Sequence, residues 1–123
     1  MIMKKTHTCT MVVEPQHLAQ SVGSGDLPVL STPMMMALME KAAMLCIADD
    51  LDEGYTTVGG EIHSTHLKPT ALGRSITACA ELTCVEGRKY TFRISAHDEV
   101  GLIGEGTHVR FAVHKEKFMA KLS

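Results

Sequence analysis

Two short stretches carry the side chains with the most chemical potential. The first, "STPMMMALMEKAAMLCIADD", runs from Ser31 to Asp50. It is apolar in almost every direction: from Met34 to Cys46 its only polar side chains are Glu40 and Lys41. The helical neighbours of Glu40, three and four residues away, are Met36, Ala37, Ala43 and Met44. A carboxylate there has two fates. It reaches water beside Lys41 along its own stem, or it is held in an apolar pocket. Burial then raises its pKa toward neutrality and suits it to act as a general base or hydrogen-bond partner. The second stretch, "GGEIHSTHLKPTALG", holds His63 and His66. On a strand, residues three apart face opposite sides, so the two imidazoles do not converge on one metal ion, and neither a metal nor a cofactor is expected. His66 lies just before "LKP", near a strand end, where connecting segments expose functional groups. Thr32, ahead of Pro33, reads as a helix N-cap hydroxyl, or as one facing a pocket beside helix N-terminal amides that favour negative charge. Gly59 and Gly60 allow either a close backbone approach to a ligand or a bulge in the strand.

The elements that position these residues follow from pattern. Residues 5–13, "KTHTCTMVV", read as a strand. Residues 14–31, with two prolines and two glycines, read as a loop. A helix follows from about Thr32 to about Asp50. From Tyr55 onward the periodicity is that of strands. In "SITACAELTC", Ile76, Ala78, Ala80, Leu82 and Cys84 share one face. "VEGR" is a hairpin turn. "KYTFRISAH" turns Tyr90, Phe92, Ile94 and Ala96 inward. The last strand, about Leu102 to His114, places Val109, Phe111 and Val113 on one face. "KEKFMAKLS" closes the chain as a short helical turn or a frayed end. A helix that is apolar all round needs cover all round: a curved sheet supplies most of it and a second subunit the rest.

The 123 residues are expected to form one domain, residues 1–123. A formal net charge of −2 argues against a nucleic-acid-binding protein, whose domains are usually basic. Neither apolar run of the helix, Met34 to Met39 or Ala42 to Ala48, is long enough to span a bilayer, and "MIMKKTHTCTMVV" shows no signal-peptide pattern. A cytoplasmic location is expected. Cys9, Cys46, Cys79 and Cys84 form no CxxC pair, and alternation puts Cys79 and Cys84 on opposite faces. They read as free thiols in a reducing compartment.

The order strand, helix, four strands, with an oily central helix, resembles the hotdog fold, an α+β architecture of one long helix wrapped by a curved antiparallel sheet of about five strands. Within it the chain resembles the small thioesterases grouped with fluoroacetyl-CoA thioesterase. The resemblance runs from about Val12 to about Phe118. It rests on "VLSTPMMMALMEKAA", "TVGGEIHSTHLKPTALG", "AELTCVEGRKYTFRISAHDEVGLIGEGTHVRF" and "HKEKFMAK". It implies hydrolysis of a short-chain acyl-CoA thioester. The family's catalytic threonine at the helix start falls on Thr32, its helix glutamate on Glu40 and its "TH" histidine on His66. Gly59, with Gly60 beside it, falls where a backbone N–H would serve an oxyanion hole. Arg110 falls on a late-strand arginine of substrate-side or structural role. The resemblance also implies a homodimer or a dimer of dimers, with sites at the interface.

Geometry restricts this set. Thr32 and Glu40 are eight residues apart, about 12 Å of rise and about 80° of rotation on a continuous helix. Either Thr32 lies in the preceding loop and folds back, or Thr32 of one subunit meets Glu40 of another. One departure concerns specificity. The segment Glu14–Ser31 contains no Phe, Tyr or Trp, and a pocket tuned to one small fluorinated acyl group would need a tighter, aromatic gate. Leu27 and Leu30 are the nearest bulky residues, so general short-chain acyl-CoA hydrolysis is expected rather than fluoroacetyl specificity. Three other functions fit the same frame: an acyl-CoA-binding module without turnover, a dehydratase acting on a 3-hydroxyacyl chain, and an oligomeric scaffold.

Overall fold

The computed structural model describes residues 5–123; the first four residues of the N-terminal stretch lie outside the described residues. Strand β1 (Thr6–Val12) is followed by a 3-10 turn at Pro15–His17 and a one-turn helix α1 (Ala19–Val22), both inside the segment expected to be a loop. Helix α2 (Thr32–Ile47) continues into a 3-10 turn at Ala48–Asp50. Then come β2 (Tyr55–Ser64), β3 (Ser75–Glu86), β4 (Lys89–His97), β5 (Leu102–His114) and a terminal helix α3 (Lys115–Ala120). The five strands form one antiparallel sheet in the order β1-β3-β4-β5-β2. With α2 packed on it, this is the hotdog arrangement.

The core lies between α2 and the middle of the sheet. Ile76, Ala78 and Ala80 of β3 and Phe92, Ile94 and Ala96 of β4 are fully buried, as their alternation requires. They meet Met35, Leu38, Met39, Ala42, Ala43 and Ile47 of α2. Each Leu, Met or Ile so enclosed contributes about 1.5–3 kcal/mol through removal of apolar surface from water. The alternation of β3 fails at its end. The register shifts between Leu82 and Cys84, so that Leu82 faces Phe92 while Cys84 lies opposite Thr91. Cys84 therefore turns to the exposed outer face that also carries Cys79, instead of continuing the apolar one. All four cysteines are free thiols.

Cover around α2 is one-sided. The stripe of Ala37, Lys41 and Met44 is exposed and Glu40 is half-exposed on it. The helix apolar on all sides is thus enclosed on one side by its own sheet. Among the described residues no helix is long and apolar enough to cross a membrane.

Candidate active site

The start of α2 decides how Thr32 is used. Ser31, not Thr32, is the N-cap: its Oγ accepts from the Met34 N–H at 3.3 Å, and Pro33 occupies the second helical position. Thr32 is the first residue of the helix and its hydroxyl is spared capping duty. Its Oγ1 lies 2.7 Å from Nδ1 of His66.

His66 sits two residues past the end of β2, in chain still pinned to β5. The Thr65 N–H donates to the Glu105 carbonyl at 3.0 Å and the Leu67 N–H to the Ile103 carbonyl at 2.6 Å. Gly104 makes this approach possible, because a Cβ there would stand 2.5 Å from the Thr65 carbonyl oxygen. Burial pushes the His66 imidazole below its ordinary value, opposed by the backbone of Lys68. Among the described residues its buried Nε2 has no hydrogen-bond partner. Thr32 and His66 share a cleft of about 290 Å³ with Leu30 and Pro69 on its walls. Leu27 is exposed and is not part of that wall.

A second centre lies further along α2. Arg110 is buried. It donates through Nε to Thr57 Oγ1 at 2.8 Å and through Nη2 to the Thr57 carbonyl at 3.0 Å. Its Nη1 donates to Nε2 of His108 at 3.1 Å and lies 3.8 Å from Glu40 Oε2. His108 is buried and stacked near Phe92, and its Nδ1 is 2.8 Å from the Glu61 carbonyl oxygen. One tautomer satisfies both contacts, with the proton on Nδ1 donated to Glu61 and Nε2 accepting from Arg110. Burial holds His108 below its ordinary value against the opposing hydrogen bond to the Glu61 carbonyl; the Arg110 guanidinium lowers it further and Glu40 opposes. Burial likewise lowers Arg110, with Glu40 opposing.

Gly59 pairs with Arg110 in the sheet, and a Cβ on it would come within 2.9 Å of Glu40 Oε2. Of the two fates open to Glu40 in the sequence, partial exposure is the one observed. Its side chain is 42% exposed, and its ion partner is Arg110. Gly60 is the extra residue of a bulge, between the Gly59–Arg110 and Glu61–Val109 pairs, so it is free of the regular ladder. His63 points elsewhere, its Nε2 2.8 Å from Glu61 Oε1 on the surface.

The chain thus joins Thr32 to His66, and Glu40 to Arg110 beside Gly59. Among the described residues no hydrogen bond or ion pair links Glu40 to Thr32 or His66. Thr32 does not fold back from a preceding loop, because it is inside α2. Reading the sequence missed His108 and Thr57. The signal for His108 was its position two residues before Arg110, which puts both on one strand face.

The sequence model of the fluoroacetyl-CoA-specific thioesterases matches residues 13–116. The chain belongs to that family. Fluoroacetyl-CoA thioesterase of Streptantibioticus cattleyicolor is 45% identical over 94 residues, 76% of this chain and 68% of that one. A solved structure of the fluoroacetyl-CoA thioesterase FlK superposes with a TM-score of 0.92 at 38% identity, covering 99% of this chain and 95% of FlK. A threonine-to-serine mutant of FlK in complex with acetyl-CoA gives 0.92 at 36% identity, with 99% and 96% covered. As a member of the fluoroacetyl-CoA-specific thioesterase family, this protein is an acyl-CoA thioester hydrolase. Its hotdog sheet places Gly59 and Arg110 side by side on neighbouring strands.

Proposed function

We propose that this protein hydrolyses short-chain acyl-CoA thioesters with Thr32, His66 and Glu40, assisted by Gly59, Gly60 and Arg110. The observation that carries the reading is the 2.7 Å contact between Thr32 Oγ1 and His66 Nδ1. With its proton on Nε2, His66 accepts the hydroxyl proton of Thr32 as Oγ1 attacks the thioester carbonyl. The C–S bond breaks, the thiolate takes a proton, and water then hydrolyses the threonyl ester. The competing route has His66 or Glu40 take a proton from water, which attacks the carbonyl directly while Thr32 orients it. In both, the N–H groups at the Gly59–Gly60 bulge stabilise the developing oxyanion, an effect of roughly 3 kcal/mol per donor. That a threonine-to-serine mutant of FlK is known in complex with acetyl-CoA supports a small acyl group.

Two features support a site completed by a second copy of the chain. Glu40 lies on the uncovered stripe of α2, and β2 is an edge strand with an unpaired side. A homodimer would cover both and bring Glu40 of one copy toward Thr32 and His66 of the other.

The test is hydrolysis of an acetyl- to hexanoyl-CoA panel, followed by thiol release, for wild type, Glu40→Gln and His66→Gln. Turnover by wild type that collapses in both folded variants supports the site. Wild type that binds acyl-CoA without turnover supports the binding module, and variants that retain full turnover remove Glu40 and His66 from the chemistry.

A further inference from the structure

The walls of the Thr32–His66 cleft are more polar than a plain alkyl chain needs. Ala19, Val29, Leu30 and Pro69 are apolar, but Ser24 brings a hydroxyl and Lys68 an ammonium group, and no acid lines the space. Lys68 is the one permanently charged side chain of that lining. It forms no ion pair among the described residues. An unpaired cation adds nothing to the binding of an uncharged acyl tail. It complements an anion, and a few placed polar groups in an apolar cleft are what sets the choice of ligand.

The run His66-Leu67-Lys68-Pro69 fixes where that charge stands. Thr65 and Leu67 both donate to carbonyls of β5, so the segment runs extended beside that strand. Pro69 keeps Lys68 extended as well, because its ring disfavours helical backbone in the residue before it. Alternate residues of an extended chain project to the same side, roughly 7 Å apart. Lys68 therefore stands one such step from the His66 imidazole, and a flexible four-carbon stem carries its ammonium group. Across the Lys68–Pro69 ridge lies a smaller cleft, of about 260 Å³, that holds Asp98 and Glu99. Those carboxylates are engaged elsewhere. Asp98 Oδ1 accepts from the N–H groups of Val100 at 2.8 Å and Gly101 at 3.0 Å. Glu99 accepts from the Ser75 N–H at 3.0 Å and pairs with Arg74 at 3.6 Å. Neither forms an ion pair with Lys68, which leaves the ammonium group free to serve the Thr32–His66 cleft.

We propose that the acyl group hydrolysed here carries a terminal carboxylate: the substrate is the CoA thioester of a short dicarboxylic acid, such as succinyl-CoA. Lys68 binds the free carboxylate and Ser24 adds a hydroxyl donor. The inference rests on the reading of Thr32 and His66 as the thioester site. With the thioester carbonyl at Thr32 Oγ1, a carboxylate two methylenes further on falls within one residue step of extended chain, the interval that separates His66 from Lys68. The segment Glu14–Ser31, which supplies Ser24, has no aromatic side chain to close over the acyl group, so its charged end stays within reach of water. Lys68 takes no part in the bond changes. It selects the acyl group, and the products are the free diacid and CoA.

The experiment compares succinyl-CoA with butyryl-CoA, which has the same number of acyl carbons and no carboxylate, by thiol release against enzyme-free blanks. In wild type, kcat/KM for succinyl-CoA should exceed that for butyryl-CoA by about tenfold or more. Lys68→Met keeps an unbranched side chain and removes the charge, so it should cut that ratio about tenfold, and Lys68→Glu should invert it. No preference in wild type, or a preference for butyryl-CoA, overturns the proposal. So does a ratio that Lys68→Met leaves unchanged, whether both rates hold or both fall together, because the lysine then serves nothing or a part common to the two substrates. If wild type hydrolyses neither, calorimetric titration with the intact thioesters decides. Tighter binding of succinyl-CoA that Lys68→Met abolishes keeps the acyl assignment and sinks the hydrolytic role of Thr32 and His66. Equal binding of the two overturns the acyl assignment as well.

Discussion

Thr32 and His66 meet at 2.7 Å across 34 residues of sequence because Ser31 has taken over the helix cap. The two adjacent hydroxyls divide the labour, one structural and one turned to the cleft. Their replacements are therefore expected to separate. Ser31→Ala should lower stability by about 1 kcal/mol and leave turnover nearly intact. Thr32→Val should keep the melting temperature and cut kcat/KM by roughly 10²–10⁴-fold, with Thr32→Ser recovering most of it. Thermal melts and thiol-release assays on the three variants check this. Full activity in Thr32→Val would leave its hydroxyl without a chemical role.

The depressed imidazole of His66 sets an expected pH profile. Its folded pKa lies below the unfolded 6.5 because burial disfavours the cation. A base must be neutral, so the acid limb of kcat/KM should have its midpoint below 6.5. The same shift has a stability consequence. The unfolded chain binds the proton more readily, so the contribution is present above pH 6.5 and is lost as pH falls through the folded value. His108 is shifted in the same direction and adds to this loss. Melting temperature should decline below pH 6.5, less steeply in His66→Gln than in wild type. Parallel declines would exclude His66 as a source.

Most of the frame is legible in the sequence because it is periodic. The alternation in β3 and β4 marks the buried faces directly, and the hairpin at Gly87 joins them. What failed was local or parity-dependent. The 3-10 turn and α1 before the cap are too short to show a period. The bulge at Leu82–Cys84 reverses the face of Cys84 without any change in composition. On β5 the apolar residues Val109, Phe111 and Val113 attract notice, yet the face turned to α2 carries His108 and Arg110, where two polar groups satisfy each other. Of the candidate site, Thr32, Glu40, His66, Gly59 and Arg110 stand out in the sequence, whereas His108 and Thr57 do not. The Thr32–His66 pairing and the ion pair of Glu40 depend on long-range contacts, and the exposure of Glu40 depends on how far one sheet wraps one helix.

His108 is expected to act on the reaction through Arg110. Its Nε2 fixes the guanidinium whose Nη1 faces Glu40, and its Nδ1 satisfies the Glu61 carbonyl at the bulge. His108→Leu removes both partners from buried polar groups and should cost about 2–4 kcal/mol. His108→Gln keeps an amide oxygen near the Nε2 position and should restore much of that stability. The positioning role is read from kinetics at a temperature where both variants are folded. kcat should drop in His108→Leu with little change in KM, and should recover in His108→Gln. A variant that is destabilised but turns over normally would leave His108 a purely structural residue.

Gly59 and Gly60 are adjacent but should respond differently to one methyl group. At Gly60 a Cβ would lie 2.5 Å from a ring carbon of half-buried Phe111, a rigid neighbour within the sheet. Gly60→Ala must shift the ring or open the bulge, so a loss of about 1–3 kcal/mol in stability is expected. At Gly59 the Cβ would lie 2.9 Å from Glu40 Oε2, the end of a flexible, partly exposed side chain. The carboxylate can yield at little cost to the fold, but it then leaves its place beside Arg110. Gly59→Ala should melt near wild type while kcat/KM falls by an order of magnitude or more, the loss expected when a positioned group moves by about 1 Å. Denaturation and steady-state assays on the two variants distinguish the cases. Equal stability losses with equal activity losses would show that the two glycines serve the bulge alone and that Glu40 needs no fixed position.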